Sequence, residues 1–324
     1  MEYVVQQAEL DTIQEHWHQL LARSPADCVF CTPEWLRVCR DELNRGDALH
    51  LLAVRCDSEL VAVAPLALRG DTLIFWGDPN VCDYSDVVVA RGHEAPAYNA
   101  LAAHVDALPW RAMRLHGLRA DSPALEGLTS AFTARGWPVE RVPEDVAPRM
   151  DIPSDWEAYV ESLSKKDRHE LRRKLRRLTS AGQVSLSANG GDLERDIQDL
   201  FQMMEVSRTD KADFLTPERR RFFQVMAAAM RGAGFLRLFF MTLDGQRVST
   251  ALCFDYGDCY KLYNSGYDPA QAHLSVGLLV KALCVKDAIE KGRKRFDFLR
   301  GAEPYKYDLG GRDNPIYTLA VSRG

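Results

Sequence analysis

The spacing of apolar and polar positions predicts two successive series of helices and strands. In the first series, apolar residues recur at helical spacing over 8–22 and 33–44, and Thr32 precedes Pro33 as a helix start. Alternating runs then predict strands in LHLLAVRC, ELVAVAPLALRG, TLIFWG and SDVVVA. A helix at about 95–107, a strand in RAMRLHGL, a helix near 122–135 and a strand in WPVERV complete this series.

The second series has the same order of elements. It begins with helices at 192–209 and 216–231, followed by strands in GFLRLFFMTL, QRVSTALCFDYG and CYKLYNSGY with hairpin turns between them. A helix at 276–291 ends at Gly292, and strands in RFDFLRG and NPIYTLAV follow. The chain is therefore predicted to be α/β, with two domains that each hold a mixed, mostly antiparallel sheet flanked by helices.

Charge divides the sequence near the same point. Residues 1–150 hold 13 arginines, no lysine and 22 acidic residues, a net charge of −9. Residues 151–324 hold 28 basic and 24 acidic residues, a net charge of +4. This shift, together with the proline-rich segment RVPEDVAPRMDIPSDW, predicts a domain boundary at 145–155 and domains at 1–150 and 151–324.

Composition excludes several classes of protein. A hydrophobic content of 46% with 27% charged residues is typical of a folded globular chain and not of a disordered one. No apolar run reaches eighteen residues, so no membrane insertion is expected. The first residues, MEYVVQQAELDTIQEHW, have neither the basic start nor the apolar core of a signal peptide, so a cytoplasmic location is expected.

The eight cysteines include one CxxC pair, Cys28 and Cys31. A structural zinc site takes four ligands, usually from two such pairs, and the sequence has no second CxxC and no HxxxH. Buried free thiols are the favoured interpretation, and no metal site is predicted.

The start of the helix at 276–291 is the candidate phosphate site. Helix N-termini bind anions through unpaired backbone amides, and a glycine in the first turn allows close approach. The predicted donor contacts are Ser275, Val276, Gly277, Leu278 and Leu279. A capped core helix without a ligand is the alternative interpretation.

Several segments together resemble the acyltransferases of the GNAT superfamily. These are YKLYNSGYDP, SVGLLV and RFDFLRGAEPYK, with CTPEWL, DYSDVVV and SKKDRHELRRKLRRL earlier in the chain. They resemble most the CelD/BcsL-type branch, which is associated with cellulose and exopolysaccharide biosynthesis and related to Fem-like aminoacyltransferases. The resemblance implies two tandem GNAT-like domains, with acyl-CoA (acetyl-CoA) as co-substrate bound by the second. The family's phosphate loop reads R/Q-x-x-G-x-G/A, and this chain departs from it, with His273 only near the first position and Leu279 at the second small residue after Gly277.

The resemblance also implies where the catalytic groups lie. In GNAT enzymes an amine attacks a thioester directly, a base or water takes the amine proton, and the thiolate leaves with a proton often supplied by tyrosine. The candidates are polar residues on the strand and loop that follow the helix at 276–291: Asp297, Glu303, Tyr305, Lys306 and Tyr307, with the first four favoured. Asp297 either faces the substrate or pairs with Arg295 or Arg300, and Glu303 with Lys306 could be a surface ion pair. Tyr263 is a candidate substrate contact, with core packing as its alternative.

A basic helix lies at the start of the second domain. Residues 164–178 hold eight basic and two acidic side chains, and Leu171, Leu175 and Leu178 form one apolar stripe. An adjoining stripe holds the predicted substrate-binding cations, Lys165, Arg168, Arg172 and Arg176. The stripe could be a solvated face, a nucleic-acid contact or a site for an anionic small molecule. The acidic chain and the absence of interleaved aromatics make duplex DNA unlikely and favour the small molecule.

The sequence therefore predicts an N-acyltransferase that moves an acyl group from acyl-CoA to the amine of a small molecule or glycan. The first domain keeps no recognisable phosphate loop and is expected to shape the acceptor site. Two alternatives stay open, namely a Fem-like transferase that uses aminoacyl-tRNA and a binding protein without turnover. The acceptor, the acyl group and the oligomeric state are left open.

Overall fold

Two separate sheets organise the protein in the computed structural model, which describes residues 2–323. Unit 1 comprises residues 2–145 and 314–323, and unit 2 comprises residues 146–313. The first part of unit 1 contains, in chain order, β1 (Tyr3–Gln7), α1 (Leu10–Leu21), α2 (Pro33–Val38), β2 (Ala48–Cys56), β3 (Glu59–Arg69), β4 (Thr72–Phe75), β5 (Val88–Val89), α3 (Glu94–Val105), β6 (Ala112–Arg119), α4 (Pro123–Thr133) and β7 (Val139–Val146).

Unit 2 is built on a six-stranded sheet in the order β8-β13-β12-β11-β10-β9. Only the pair β12–β13, which is connected through α10, is parallel. Its elements are β8 (Arg149–Asp151), α5 (Trp156–Ser162), α6 (Lys165–Ala181), β9 (Val184–Ala188), α7 (Leu193–Ser207), α8 (Thr209–Phe214), α9 (Pro217–Gly232), β10 (Leu236–Leu243), β11 (Gln246–Tyr256), β12 (Cys259–Tyr267), α10 (Val276–Glu290), β13 (Arg295–Asp297) and α11 (Pro304–Asp308).

The closing strand β14 (Pro315–Ser322) lies in unit 1, between β6 and β7 in the order β1-β2-β3-β4-β6-β14-β7. The predicted second domain at 151–324 included this strand, and the structure corrects that assignment. Leu319 is fully buried, lies opposite Leu115 of β6 and belongs to the core of unit 1. Unit 2 is thus inserted in sequence between two neighbouring strands of unit 1.

Helices cover both faces of the sheet in unit 2. Because side chains alternate along a strand, Tyr260 and Leu262 of β12 pack in one core with α5, α6 and α10. The ring of Tyr263 points to the other face, where it contacts Phe223 of α9. The predicted α/β class, with mixed, mostly antiparallel sheets flanked by helices, is confirmed.

The position of β14 predicts how the chain tolerates cutting. Ser322 donates to the carbonyl of Pro138 near the start of β7, so the start of β14 lies near the end of β7. A fragment of residues 1–150 lacks β14, the strand that joins β6 to β7, and is expected not to fold. Joining residue 146 to residue 314 by a short Gly-Ser linker is expected to restore a cooperative thermal transition, measured by circular dichroism. Equal transitions for both proteins would contradict this account of unit 1.

Candidate active site

The parallel pair β12–β13 is short, so one edge of β12 is largely open. β13 pairs only with Cys259–Lys261, whereas β12 continues to Tyr267. A bulge at Tyr263 interrupts the register with β11 between Leu262 and Asn264. Bulges bend a strand and raise its twist, which directs the second half of β12 away from β13. Within residues 2–323, no strand therefore pairs with residues 262–267 on the β13 side, and the space beside this edge is called the cleft below.

Tyr263, a predicted substrate contact, lies at this bulge with its ring in an aromatic cluster. The ring centroids of Phe223 and Phe254 lie 5.5 and 5.0 Å away. This placement suits the packing alternative.

Asp297 shapes the turn by which the chain leaves the sheet. Its carboxylate is 4% exposed and accepts a 2.8 Å hydrogen bond from the amide of Leu299. Leu299 has a φ of 58°, a conformation that is strained for a residue with a side chain. The carboxylate therefore stabilises the bend at the mouth of the cleft, a structural role that neither sequence alternative named.

Lys306 lies beneath the same turn and is 1% exposed. Its Nζ donates to the carbonyls of Leu299, Arg300 and Gly301 at 2.9, 2.6 and 3.0 Å. It also lies 2.9 Å from Oε2 of Glu303, whose side chain is 41% exposed. The Glu303–Lys306 pair exists, but its lysine is buried and holds residues 299–301, so it is not a surface pair.

Two lysines approach the open edge of β12. Lys281 of α10 is buried, donates to the Gly277 carbonyl at 2.6 Å and lies 4.5 Å from the centroid of the Tyr305 ring. Lys211 of α8 donates to Asn264 Oδ1 at 3.1 Å and to the Ser265 carbonyl. Lys211 and Lys281 are called the lysine pair below.

Burial shifts the proton affinities of this cluster. Burial and the Lys211 cation lower the pKa of Lys281 to about 7. Burial and the Arg208 cation lower the pKa of Lys211 to about 8. Burial raises the pKa of the Tyr305 hydroxyl, which therefore keeps its proton at neutral pH. The cleft thus combines amines that titrate near neutrality with a protonated phenol.

The first turn of α10, Val276 to Leu279, begins with two free amides, whereas the amides of Leu278 and Leu279 donate to the carbonyl of Ser275. Ser275 precedes this turn with a φ of 59°, and its side chain forms no cap. In residues 2–323 the amides of Val276 and Gly277 donate to no backbone carbonyl. A Cβ on Gly277 would lie 2.7 Å from Cδ1 of Tyr267, so packing against that ring requires the glycine.

Charged side chains of both signs line a cavity beside the same turn. The cavity, of about 280 Å³, lies between α6 and α10, and its lining includes Lys166, Lys174, Asp167, Glu170 and Asp308. Arg177 donates to the carbonyl of His273 at 2.7 Å, which brings another cation to the start of α10. The two lysines, Arg177 and the unpaired amides are the groups here that can contact an anion.

The predicted stripe on α6 is divided. Arg168 and Arg172 pair with Glu161 of α5, with nitrogen–oxygen distances of 2.5 and 2.7 Å. The hydrogen bond from Arg172 and the charge of Arg168 lower the pKa of Glu161. Lys165 and Arg176 are exposed and form no ion pair within the part of the chain that the structure describes. Two of the four cations are thus occupied within the protein.

Within residues 2–323, no group of three or more His, Cys, Asp or Glu side chains is placed to hold a metal ion. No helix of these residues combines the length and the apolar character needed to cross a bilayer.

Comparison with known proteins identifies the domain around this cleft. Residues 165–307, which include the lysine pair, match the family model described as an acetyltransferase (GNAT) domain. This match covers most of unit 2, which is called the GNAT domain below. No curated protein sequence matches the chain significantly. The GNAT domain supports an acyltransferase, and the match does not specify the CelD/BcsL-type branch.

Solved structures show the same fold over the whole chain. FemX superposes with a TM-score of 0.68 at 13% identity, covering 98% of this chain and 97% of FemX. A tandem GNAT protein from the clavulanic acid biosynthesis pathway gives 0.57 at 12%, covering 99% and 98%. L-PGS from Bacillus licheniformis gives 0.55 at 10%, covering 96% and 91%. These identities show the fold alone, and they confirm the predicted tandem GNAT-like architecture.

The lysine pair of the GNAT domain was absent from the sequence prediction. Lys281 had a visible signal, because it is the one charged residue in the apolar run VGLLVKALCV, four positions after Gly277. A helix turns once in 3.6 residues, so this spacing puts both residues on the face towards Tyr267 and Tyr305. Lys211 had no such signal, because α8 is short and polar.

Proposed function

We propose that the GNAT domain transfers an acyl group from acyl-CoA to the amine of a small-molecule or glycan acceptor. The observation that carries this proposal is the open edge of β12 next to the free amides of α10. A donor bound between them would place its phosphates on a helix N-terminus and its thioester against strand amides. Such amides stabilise the oxyanion that forms when an amine attacks the carbonyl.

The phosphates of the donor would contact Ser275 to Leu279 and the cations of α6. Amides of Val276 and Gly277 supply hydrogen bonds, and Lys166 and Lys174 supply charge from the adjoining cavity. Lys165 and Arg176 would extend the same surface. Arg168 and Arg172 pair with Glu161 of α5 and would therefore contribute indirectly, by holding α5 against α6.

Two side chains are proposed to move protons. The Glu303 carboxylate is partly exposed next to the cleft, so it can accept the proton that the amine loses. The Tyr305 hydroxyl stays protonated and can donate to the departing thiolate. Asp297 and Lys306 are assigned positioning roles, because both hold the turn at 297–301.

Aminoacyl-tRNA is the second donor considered, since the positive surface of α6 suits phosphates from either source. Titration with acetyl-CoA, CoA and aminoacyl-tRNA separates the two donors. Thiol release in the presence of an amine panel tests turnover. Donor binding without thiol release in the presence of any amine would support a binding protein that keeps the GNAT fold. An association with exopolysaccharide or cell-envelope biosynthesis belongs to this proposal, and acylation of a glycan amine tests it.

A double Lys166→Ala, Lys174→Ala variant is expected to weaken CoA binding roughly tenfold, since two solvent-accessible charge contacts together contribute about 1–2 kcal/mol. Isothermal titration at low and high salt is the measurement, and the salt dependence should decrease in the variant. Lys291→Ala, at the opposite end of α10, is the matched control. Equal affinities for the wild type and the double variant would exclude this cavity as the phosphate site.

A further inference from the structure

The lysine pair has no negative partner among the described residues 2–323. Lys281 is 9% exposed, and among these residues its hydrogen-bond acceptor is the carbonyl of Gly277. Lys211 contacts an amide oxygen and a carbonyl. No carboxylate in residues 2–323 forms an ion pair with either ammonium within 4.0 Å. Within residues 2–323, Lys211 at Asn264 and Ser265 of β12 and Lys281 at Gly277 of α10 thus have only neutral hydrogen-bond partners.

Such an arrangement is unfavourable for the protein alone. Buried charges are usually paired, because carbonyl dipoles and an aromatic face replace only part of the lost hydration. A methionine at position 281 would fill the same space without this penalty. The position of the pair, where the sheet is open to a ligand, indicates a use in binding.

The surrounding charges do not neutralise the pair. Arg208 adds positive charge to both lysines, while Glu303 is the carboxylate that acts on both at longer range. Asp210 also acts on Lys211, but its carboxylate pairs with Arg208 at 2.8 Å. On the Lys281 side, the other titratable groups are Cys284, whose thiol is buried, and Tyr305. The local charge stays positive.

We propose that Lys211 and Lys281 form an anion subsite that binds a substrate carboxylate, an inference that rests on the proposed acyl transfer. The carboxylate would lie between the two ammonium groups at the open edge of β12. It comes either from the acyl chain of the donor or from the acceptor, and both sources present the same chemistry to the pair.

The number of available donors favours a carboxylate over a phosphate. An ammonium has three N–H groups. Lys281 uses one on Gly277, and Lys211 uses two on Asn264 and Ser265. Three N–H groups remain, which suits the two oxygens and single charge of a carboxylate. A phosphate carries more charge and three terminal oxygens, and the amides and cations at the start of α10 suit it better.

Lysine NMR tests the subsite without requiring turnover. Protein labelled at the lysine Cε carbons is titrated with pH in the presence of glutarate or of glutaramide, its neutral analogue. Glutarate is expected to raise the pKa of both lysines, because a bound anion favours their charged forms, and glutaramide is expected to leave them unchanged. Lys281→Met should abolish the effect of glutarate on Lys211. Lys286→Met, on the same helix but exposed to solvent, should preserve it.

Two substrate comparisons then identify the source. If the carboxylate belongs to the donor, succinyl-CoA binds about tenfold tighter than acetyl-CoA to the wild type and equally to Lys281→Met. If it belongs to the acceptor, the two donors bind alike. An α-amino acid then has a KM about tenfold lower than the amine without its carboxylate, and Lys281→Met removes that difference.

The outcomes separate the two proposals. An unchanged pKa of both lysines at saturating glutarate, or an equal effect of glutaramide, overturns the anion subsite whether or not acetyl-CoA reacts. A glutarate effect that depends on Lys281 supports the subsite, even in a protein that neither binds CoA nor releases thiol. In that case only the proposed acyl-CoA transfer fails.

Discussion

Replacing Lys306 with methionine is expected to lower the free energy of unfolding of unit 2 by about 3–5 kcal/mol. The change removes the buried ammonium group that donates hydrogen bonds to the three carbonyls of residues 299–301. Each carbonyl is then buried without a hydrogen-bond donor, which is unfavourable. The turn also contains positive φ values at Leu299 and Gly301, which the lysine helps to hold. Urea unfolding followed by hydrogen exchange of unit 2 peptides measures the loss.

Glu303→Gln is the matched control for this prediction. It keeps the three bonds from Lys306 to the backbone and removes only the charge of Glu303, whose side chain is 41% exposed, so its effect is expected to be clearly smaller than that of Lys306→Met. If Lys306→Met kept wild-type stability and lost turnover, the lysine would act on substrate and not on the turn.

Lys281→Met is expected to make unit 2 more stable at neutral pH. The folded pKa of Lys281 is about 7, against an ordinary value of 10.5. Between these values the unfolded chain binds one more proton, so stability of the wild type rises with pH. The penalty for burying the charge is complete below pH 7 and fades towards pH 10. The variant should therefore exceed the wild type by about 2–4 kcal/mol near pH 6.5, with the difference shrinking as pH rises.

Denaturant unfolding at pH 6.5, 8 and 9.5 measures this difference. Lys286→Met should differ little from the wild type at every pH, because Lys286 is partly exposed and pairs weakly with Glu290 at 3.7 Å. A Lys281→Met variant that is less stable at all three pH values would mean that the lysine supports the fold. If Lys281→Met is more stable and loses the glutarate response, then Lys281 lowers the stability of the wild type and serves anion binding.

Local signals made many elements predictable. The helix predicted at 276–291 is α10, Val276–Glu290, because a continuous apolar face and Gly292 define its length within the sequence itself. Thr32 caps α2 as expected, and Ser164 caps α6 through the amide of Asp167. These interactions join residues three or four positions apart, so the sequence contains nearly all of their determinants.

Features that depend on distant residues were not predictable. The sequence of β14 shows that it is a strand but not which sheet it joins, since that depends on the space between β6 and β7. Arg168 and Arg172 were expected to bind substrate, but α5, which the pattern did not predict, supplies Glu157 and Glu161 as partners. Lys306 was predicted to be catalytic because the sequence shows its charge. The sequence does not show the three backbone carbonyls to which its ammonium group donates.

The insertion of unit 2 between β7 and β14 also sets an order of events during synthesis. A ribosome releases β7 early, but the neighbour that completes this part of the sheet emerges only after all of unit 2. In the nascent chain the sheet of unit 1 therefore stays incomplete, with an apolar edge, while unit 2 can already fold. Domains usually fold in the opposite order, beginning with the N-terminal one. A ribosome that stalls before residue 315 would leave that edge exposed, and the unfinished chain would then be a target for chaperones.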